Sequence, residues 1–217
     1  GQLAADDEGG DLWDEAAAMV VKSVNDDYSS PVLLSALPSG VARELEPRLA
    51  QSGHLVVSNA SSHRMDPDVP LVVPEINPDH LVQARRQLER ASGAIVTNPN
   101  CVVAGLALAL HPIHEAFGVE QAVVTTFQAI SGAGRPGPPA ADLMDNVLPF
   151  IAGEEDKLGN EVRKILGRAS EVGFEDAAIR VSATCTRVPV AHGHLASVSL
   201  ACLERPRVEE VAELLTT

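Results

Sequence analysis

Apolar and polar positions over residues 31–100 alternate between short β-branched runs and longer mixed runs. The apolar runs at Val32–Ser39, His54–Ser58 and Ala94–Thr97 predict buried strands, the first of them ending in a polar turn. Helices are predicted between them, over residues 41–52 and 79–91, the first ending near a glycine. Strands and helices that alternate in this order are typical of a parallel sheet with crossover helices.

The two flanking regions have different patterns. Residues 1–30 predict an acidic, glycine-rich tail followed by an amphipathic helix over 12–24, where apolar residues recur at helical spacing. Beyond residue 100, long β-branched runs at 121–130, 178–190 and 198–203 predict strands, and residues 153–168 predict a charged helix. These patterns predict three units. They are the tail and helix of residues 1–30, a parallel α/β domain over 31–100, and an α+β domain over 101–217 whose sheet is partly antiparallel.

Composition narrows the range of functions. The chain has 16 Lys and Arg against 30 Asp and Glu, a net charge of −14, which repels nucleic acid and anionic membrane surfaces. Three cysteines without paired spacing favour a reducing compartment over a disulfide framework. The longest apolar run, Val102–Leu110, is too short to span a bilayer, and no segment reads as a signal peptide. We therefore expect a cytoplasmic protein without nucleic-acid or membrane partners.

Cys101 is the strongest candidate for chemistry in this sequence. It follows the predicted strand Ala94–Thr97 and a stiff turn, Asn98 to Asn100, and it opens a long apolar run rich in Ala and Leu. At the start of a helix, free backbone N–H groups and the helix dipole favour a thiolate, which is the better nucleophile. The alternative is a buried cysteine that packs as a small hydrophobic residue.

Partners for this thiol come from the second half of the chain. His194 lies where a predicted strand breaks at Gly193, and a thiol beside an imidazole is the minimal apparatus for attack on a carbonyl. Candidate anion-binding residues are Arg187, Arg64 and Lys164, each of which could equally be a solvated or ion-paired side chain. A zinc site is conceivable from His192, His194, Cys185 and Cys202, but no CxxC or HExxH spacing occurs, and we expect no metal.

Six ordered blocks of the sequence resemble the aspartate-semialdehyde dehydrogenases of the archaeal and fungal branch, which also includes malonyl-CoA reductases. The resemblance runs from about Val32 to the end of the chain. It implies an α/β fold, with a reduced Rossmann-like parallel sheet joined to an α+β catalytic and dimerisation domain, and it implies a homodimer. The blocks are Leu34–Ser39, Ser58–Arg64, Val69–Asn77, Asn98–Cys101, Gln128–Gly134 and Arg187–His194.

The resemblance also implies roles for individual residues. Cys101 would form a thioester with the substrate acyl group, His194 would act as acid and base, and Gln128 would orient the intermediate. Arg187 would hold the substrate carboxylate, and Glu161 would face the substrate amino group. Arg64 and Lys164 would hold a phosphate, and Asn100, beside the cysteine, is assigned to the substrate site.

The sequence departs from the family pattern in the cofactor region. The family opens with a strand, a G-x-x-G-x-x-G turn and a helix that bind the pyrophosphate of NADP, and this sequence has no such turn. The family also continues beyond the equivalent of Thr217. Val102 replaces a small hydroxyl residue, and Leu195 and Ala196 replace a polar pair. From these departures we expect that no cofactor is bound.

Three functions follow from these observations. The first is cofactor-independent acyl-thioester chemistry at Cys101 and His194: acyl transfer, hydrolysis or lactone-forming cyclisation, with Gln128 and backbone N–H groups at the oxyanion and an apolar, polyketide-type acyl chain as one substrate. The second is an NADP-dependent aspartate-semialdehyde dehydrogenase or acyl-CoA reductase, of which this chain is the middle. The third is a non-catalytic relic that dimerises. The residues favour the first narrowly over the second.

Overall fold

The computed structural model describes residues 14, 16–24, 27–134 and 136–216. Contacts between residues group the chain into two compact units, 1–30 and 31–217. The prediction of a boundary near residue 100, within the second unit, stays a prediction. Within the described residues, no helix is long and apolar enough to cross a membrane.

The helix predicted over residues 12–24 is confirmed only in its first half. Asp14 and residues 16–18 are helical, but residues 19–23 have no regular structure, and the acidic tail and residues 12 and 13 lie outside the described residues. Met19, Val20 and Val21 are 77%, 84% and 96% exposed. A short helix gains most of its stability from packing of its apolar face, so the pattern alone does not extend the helix beyond residue 18.

The first sheet of the second unit is three-stranded and parallel, as predicted. Strand β2 lies at its centre, and β1 and β3 pair with it in register, Ser35 and Thr97 both standing level with Ser58. Leu71 adds a parallel bridge to Thr97. The elements in chain order are β1 (Val32–Ser35), α1 (Ser39–Gln51), β2 (Leu55–Ser58), a 3₁₀ helix (Pro78–Leu81), α2 (Val82–Arg90) and β3 (Ala94–Thr97).

The second sheet is mixed, which confirms the partly antiparallel prediction. Its central strand β4 pairs with β7 in parallel and with β8 antiparallel. The hairpin of β5 and β6 and the last helix were not predicted. The elements are α3 (Cys101–Phe117), β4 (Val119–Gln128), a 3₁₀ helix (Ile130–Ala133), α4 (Ala140–Leu143), α5 (Glu154–Ile165), β5 (Arg168–Ser170), β6 (Gly173–Glu175), β7 (Arg180–Arg187), β8 (Leu195–Cys202) and α6 (Val208–Leu214).

The main core forms where α3 and α5 pack against one face of the mixed sheet. Its buried members include Val103 and Leu110 of α3, Val124 of β4 and Val162 of α5. Helix α3 continues through Pro112 and ends at Gly118, whose φ of 63° closes the helix in the left-handed region that glycine adopts without strain. This packing fixes the direction of α3, and with it the position of the residue that begins the helix.

Candidate active site

Cys101 is the first residue of α3, and its side chain is exposed. Asn100 caps the helix, because its Oδ1 accepts a hydrogen bond from the N–H of Val102 at 2.9 Å. Strand β3 ends at the carboxyl edge of the parallel sheet and leads directly into this turn. The thiol therefore lies at the positive end of a seventeen-residue helix, and the signals that place it there are local in the sequence. The predicted position of Cys101 is confirmed.

His194 lies beside Cys101, although 93 residues separate them in the chain. Its Nε2 is 3.4 Å from the Sγ of Cys101, and its Nδ1 accepts a hydrogen bond from the backbone N–H of Ala129 at 3.0 Å. A Cβ on Gly132 would approach the ring to 3.0 Å at Cε1 and 3.2 Å at Nε2. The imidazole therefore lies between Cys101 and the segment that directly follows β4.

Arg187 and Gln128 are the paired last residues of β7 and β4, and both are buried. Arg187 donates from Nη1 to the carbonyl oxygen of Ala129 at 2.7 Å, and it lines a cleft of about 370 Å³ together with Glu154. Gln128 donates from Nε2 to Oγ1 of Thr126 at 3.3 Å. Arg187 is thus in position to meet a ligand in this cleft, while the amide of Gln128 is engaged within its own strand.

Glu161 of α5 joins two predicted site residues. Its Oε1 accepts from Nη1 of Arg64 at 2.9 Å, and its Oε2 accepts from the backbone N–H of Asn100 at 2.7 Å. Arg64 also donates from Nη2 to the carbonyl oxygen of Asn59 at 2.8 Å. Glu161 is only 1% exposed. In this arrangement the carboxylate holds the turn before Cys101, and its contact with a substrate amino group stays a prediction.

Lys164, one turn after Glu161, uses its ammonium group within the protein. Nζ donates to the carbonyl oxygens of Arg64, Asp66 and Val69 at 2.7, 2.9 and 2.8 Å. Burial lowers its pKa from 10.5 to about 8, against the opposing charges of nearby carboxylates, of which Asp66 is the largest. All three ammonium protons are thereby used. The predicted phosphate role of Lys164 would require these bonds to be exchanged, and it stays a prediction.

Glu154 and Ala129 belong to the site but were not predicted. Oε2 of Glu154 accepts from Nδ2 of Asn100 at 2.9 Å, so a second carboxylate reaches the turn before Cys101. Ala129 contributes only its backbone, the N–H to His194 and the carbonyl to Arg187. Gly132 lies in the glycine- and proline-rich stretch 131–139, whose contact with His194 was not predicted.

The other two cysteines lie in less reactive surroundings. Burial raises the pKa of the thiols of Cys185 and Cys202, which disfavours their thiolates. Over the described ranges, no group of three or more His, Cys, Asp or Glu side chains could hold a metal ion.

Two clefts flank the thiol of Cys101. One, of about 400 Å³, lies at the carboxyl edge of the parallel sheet and includes Asn59, Val73 and Pro99. The other, of about 420 Å³, lies between α3 and β8 and includes Gly105 and Val198. Cys101 can therefore meet a ligand from either side, and His194 can do so from the cleft between α3 and β8.

Two family models match the chain and together cover more than half of it. The model described as "Semialdehyde dehydrogenase, NAD binding domain" matches residues 4–84, and the one described as "Semialdehyde dehydrogenase, dimerisation domain" matches residues 110–217. The chain belongs to the semialdehyde dehydrogenase family. The resemblance and the α/β fold inferred from the sequence are thereby confirmed.

Individual relatives agree with this family assignment. The chain is 47% identical over 181 residues to an aspartate-semialdehyde dehydrogenase of Archaeoglobus fulgidus, covering 82% of this chain and 52% of the relative. It is 42% identical over 219 residues to one from Aspergillus fumigatus, covering 93% and 60%. A crystal structure of the Candida albicans enzyme with NADP matches at a TM-score of 0.84 and 36% identity, covering 93% and 60%. The chain thus spans a little over half the length of the relatives that it matches.

These matches bear on the expectation that the chain lacks a cofactor-binding region. The sequence indicated a resemblance only from about Val32, whereas the match to the NAD-binding domain begins at residue 4. The expectation that no cofactor is bound is not confirmed. The dehydrogenase alternative is better supported than cofactor-independent acyl chemistry, for which these relatives give no support.

Proposed function

We propose that this chain carries the thioester-forming site of an NADP-dependent aspartate-semialdehyde dehydrogenase. The observation that carries the proposal is the 3.4 Å contact between Sγ of Cys101 and Nε2 of His194 at the start of α3. The sulfur attacks the carbonyl carbon of an aspartate-derived acyl phosphate, a C–S bond forms, and phosphate leaves with the electron pair. The helix dipole stabilises the thiolate that attacks.

Arg187 supports the choice of a carboxylate-bearing substrate. Arg187 is 6% exposed and lines a cleft together with Glu154. A guanidinium matches the planar geometry of a carboxylate and binds it through parallel hydrogen bonds. The substrate carboxylate would lie on Arg187 and the acyl carbon beside Cys101. Glu161 keeps Asn100 and hence Cys101 in place, and its contact with a substrate amino group stays a prediction.

The residues around Cys101 fit a nicotinamide group. The cleft of Asn59, Val73 and Pro99 lies at the carboxyl edge of the parallel sheet and reaches the thiol, and ligands of open α/β sheets bind at this edge. Its walls are mainly apolar, which suits a flat ring. When bound, the cofactor supplies the hydride chemistry that interconverts the thioester and the aldehyde. The side chains of this cleft would orient the ring and exclude water from the thioester on Cys101.

The dimer expected from the resemblance is part of this proposal. The match to a dimerisation domain covers residues 110–217. One face of the mixed sheet packs on α3 and α5, and the other exposes Val123 and Leu195 at 44% and 65%. This exposed face suits a second copy of the chain. Sedimentation equilibrium would give the mass of a dimer, and a monomer would remove this part of the proposal.

The test compares cofactor reduction with acylation in the same protein. The purified chain is given aspartate semialdehyde, phosphate and NADP, and formation of NADPH is followed by absorbance. In parallel, the chain is incubated with acetyl phosphate and its intact mass is measured. Cys101→Ser removes the nucleophile, and Cys202→Ser is the matched control, since that thiol lies outside the site.

Formation of NADPH that is lost in Cys101→Ser and retained in Cys202→Ser would support the proposal. An acetyl adduct on Cys101 without NADPH formation would instead support the cofactor-independent chemistry that the sequence favoured. If neither signal is seen, both are overturned and the non-catalytic alternative remains.

A further inference from the structure

The contacts of His194 leave its neutral ring one arrangement of protons. Nδ1 accepts a hydrogen bond from the backbone N–H of Ala129. A nitrogen that accepts a hydrogen bond must keep its lone pair, and a neutral imidazole carries its proton on one nitrogen only. The proton is therefore on Nε2, the atom that lies 3.4 Å from the sulfur of Cys101.

We propose that the backbone N–H of Ala129 selects the Nε2–H tautomer of His194, so that His194 acts on Cys101 as a hydrogen-bond donor and not as the base that removes its proton. Ala129 is thus a positioning residue that acts through its main chain. The role of this tautomer in turnover rests on the proposed function, but the tautomer itself is measurable in the resting protein.

The orientation of the ring follows from two contacts at once. Turning the ring by half a revolution about Cβ–Cγ exchanges Nδ1 with Cδ2 and Nε2 with Cε1. A carbon would then face the N–H of Ala129, and another carbon would face the sulfur of Cys101. Both hydrogen bonds would be lost, so the observed orientation is the one that the network favours.

The donor at Ala129 is firmly placed. The residue is fully buried, and its carbonyl oxygen accepts the 2.7 Å hydrogen bond from Arg187. The next N–H, that of Ile130, donates to the carbonyl of Val190 at 2.8 Å. Gly132 lies against the ring of His194. Neither the N–H nor the imidazole can turn away without breaking these contacts.

The fate of the thiol proton follows from the same geometry. Transfer of that proton to Nε2 would leave the ring with a proton on Nδ1 as well, and two N–H donors would then face each other across 3.0 Å. Cys101 is exposed, so water reaches its sulfur. The S–H bond breaks, the electron pair stays on sulfur, and a water molecule takes the proton. The thiolate then accepts the N–H of His194, a charge-assisted hydrogen bond.

Nitrogen NMR tests the tautomer directly. In the ¹⁵N-labelled wild-type chain at mildly alkaline pH, where an imidazole is ordinarily neutral, two-bond ¹⁵N–¹H correlations separate protonated from unprotonated ring nitrogens. The signals of His194 are those lost in His194→Gln and kept in His192→Gln. We expect a protonated Nε2 and an unprotonated Nδ1. A proton on Nδ1, alone or together with one on Nε2, would overturn the proposal.

A second experiment uses the reactivity of Cys101 towards iodoacetamide. Glutamine can donate a hydrogen bond from its amide nitrogen but cannot act as a base, whereas alanine can do neither. If His194 is a donor, alkylation of Cys101 in His194→Gln should be about tenfold faster than in His194→Ala, the effect expected of one hydrogen bond to a charged group. Equal rates in the two variants would indicate a lost base and overturn the proposal.

The two proposals can fail separately. A chain that forms no NADPH but shows the Nε2–H tautomer would remove the proposed function and leave the inference standing. A chain that forms NADPH with a protonated Nδ1 would do the reverse. The wild-type spectrum also decides the tautomer if the variants at His194 do not fold.

Discussion

The carboxylate of Glu161 accepts the backbone N–H of Asn100 at 2.7 Å, so that a buried side chain of α5 holds the turn from which Cys101 projects. The other oxygen of the carboxylate is occupied by Arg64. The turn before the nucleophile is thus held in two ways. The side chain of Asn100 caps the helix, and the ion pair of Glu161 with Arg64 holds the backbone N–H of Asn100. Four consequences of the described contacts can be measured.

Removal of the carboxylate of Glu161 should destabilise the fold strongly. In Glu161→Leu, the buried charge of Arg64 and the N–H of Asn100 both lose their acceptor, and breaking a buried pair on one side costs about 3–5 kcal/mol. Urea unfolding followed by circular dichroism measures this loss. The matched control is Arg207→Ala, which breaks the exposed pair with Glu210 and should leave the unfolding curve unchanged. A loss no greater than that of the control would contradict the anchoring role.

Gly132→Ala should lower the reactivity of Cys101. The added Cβ would lie 3.0 Å from Cε1 of His194 and 3.2 Å from Nη1 of Arg187, so the imidazole must give way by a few tenths of an ångström, which disturbs its contact with the sulfur. We expect the rate of alkylation by iodoacetamide to fall about tenfold, as for loss of one charge-assisted hydrogen bond. Gly40→Ala is the control, because a Cβ there meets no atom within 4 Å. Similar rates in the two variants would show that the ring does not depend on the close approach of Gly132.

Lys164→Met should destabilise the protein and change its pH dependence. At neutral pH three buried carbonyl groups lose their donor, at a cost of about 1–3 kcal/mol. The pKa of Lys164 is about 8 in the folded protein, below its ordinary value of 10.5. Between these values the unfolded chain binds more protons, so the contribution of Lys164 to the unfolding free energy rises with pH.

The measurement for Lys164 is the unfolding free energy of both proteins at a series of pH values. The difference between wild type and Lys164→Met should grow as the pH rises from about 8 to 10.5. A difference that shrinks over this window would mean that the folded protein holds the ammonium proton more tightly than the unfolded chain does.

Iodoacetamide should modify Cys101 selectively. The thiol of Cys101 is exposed, Cys185 is buried, and burial raises the pKa of Cys185 and Cys202. At neutral pH we expect one adduct per chain, mapped to the peptide that contains Cys101 and lost in Cys101→Ser. Equal labelling of Cys202 would show that the surroundings of Cys101 confer no advantage.

Local patterns were sufficient to predict the parallel sheet and the thiol at its edge. The strand that ends at Thr97, the Asn100 cap and the apolar helix that follows are all short-range signals, and the structure contains each of them. The helix predicted over 12–24 had the same kind of signal, but residues 19–23 have no regular structure because their apolar side chains are not buried. A periodic pattern predicts a helix only where other elements cover its face.

The contacts of the site could not be predicted in the same way. His194 was a candidate among seven histidines, and the family resemblance, not its spacing, singled it out. The three carbonyls on Lys164 and the N–H of Ala129 are main-chain groups, which every residue carries, so no residue type marks them. Their positions depend on how the segments 64–69 and 128–134 fold back on the helices.

The pairing of Cys101 with His194 joins the first residue of α3 to the residue that precedes β8, across 93 positions of the chain. The helix start is a local structure, but the imidazole arrives only when the outer strand of the mixed sheet has docked on β4. A folding intermediate with α3 formed and β8 detached would therefore present the sulfur without its neighbour. Time-resolved alkylation during refolding would then report when β8 joins the sheet, so the reactivity of Cys101 would measure how far folding has progressed.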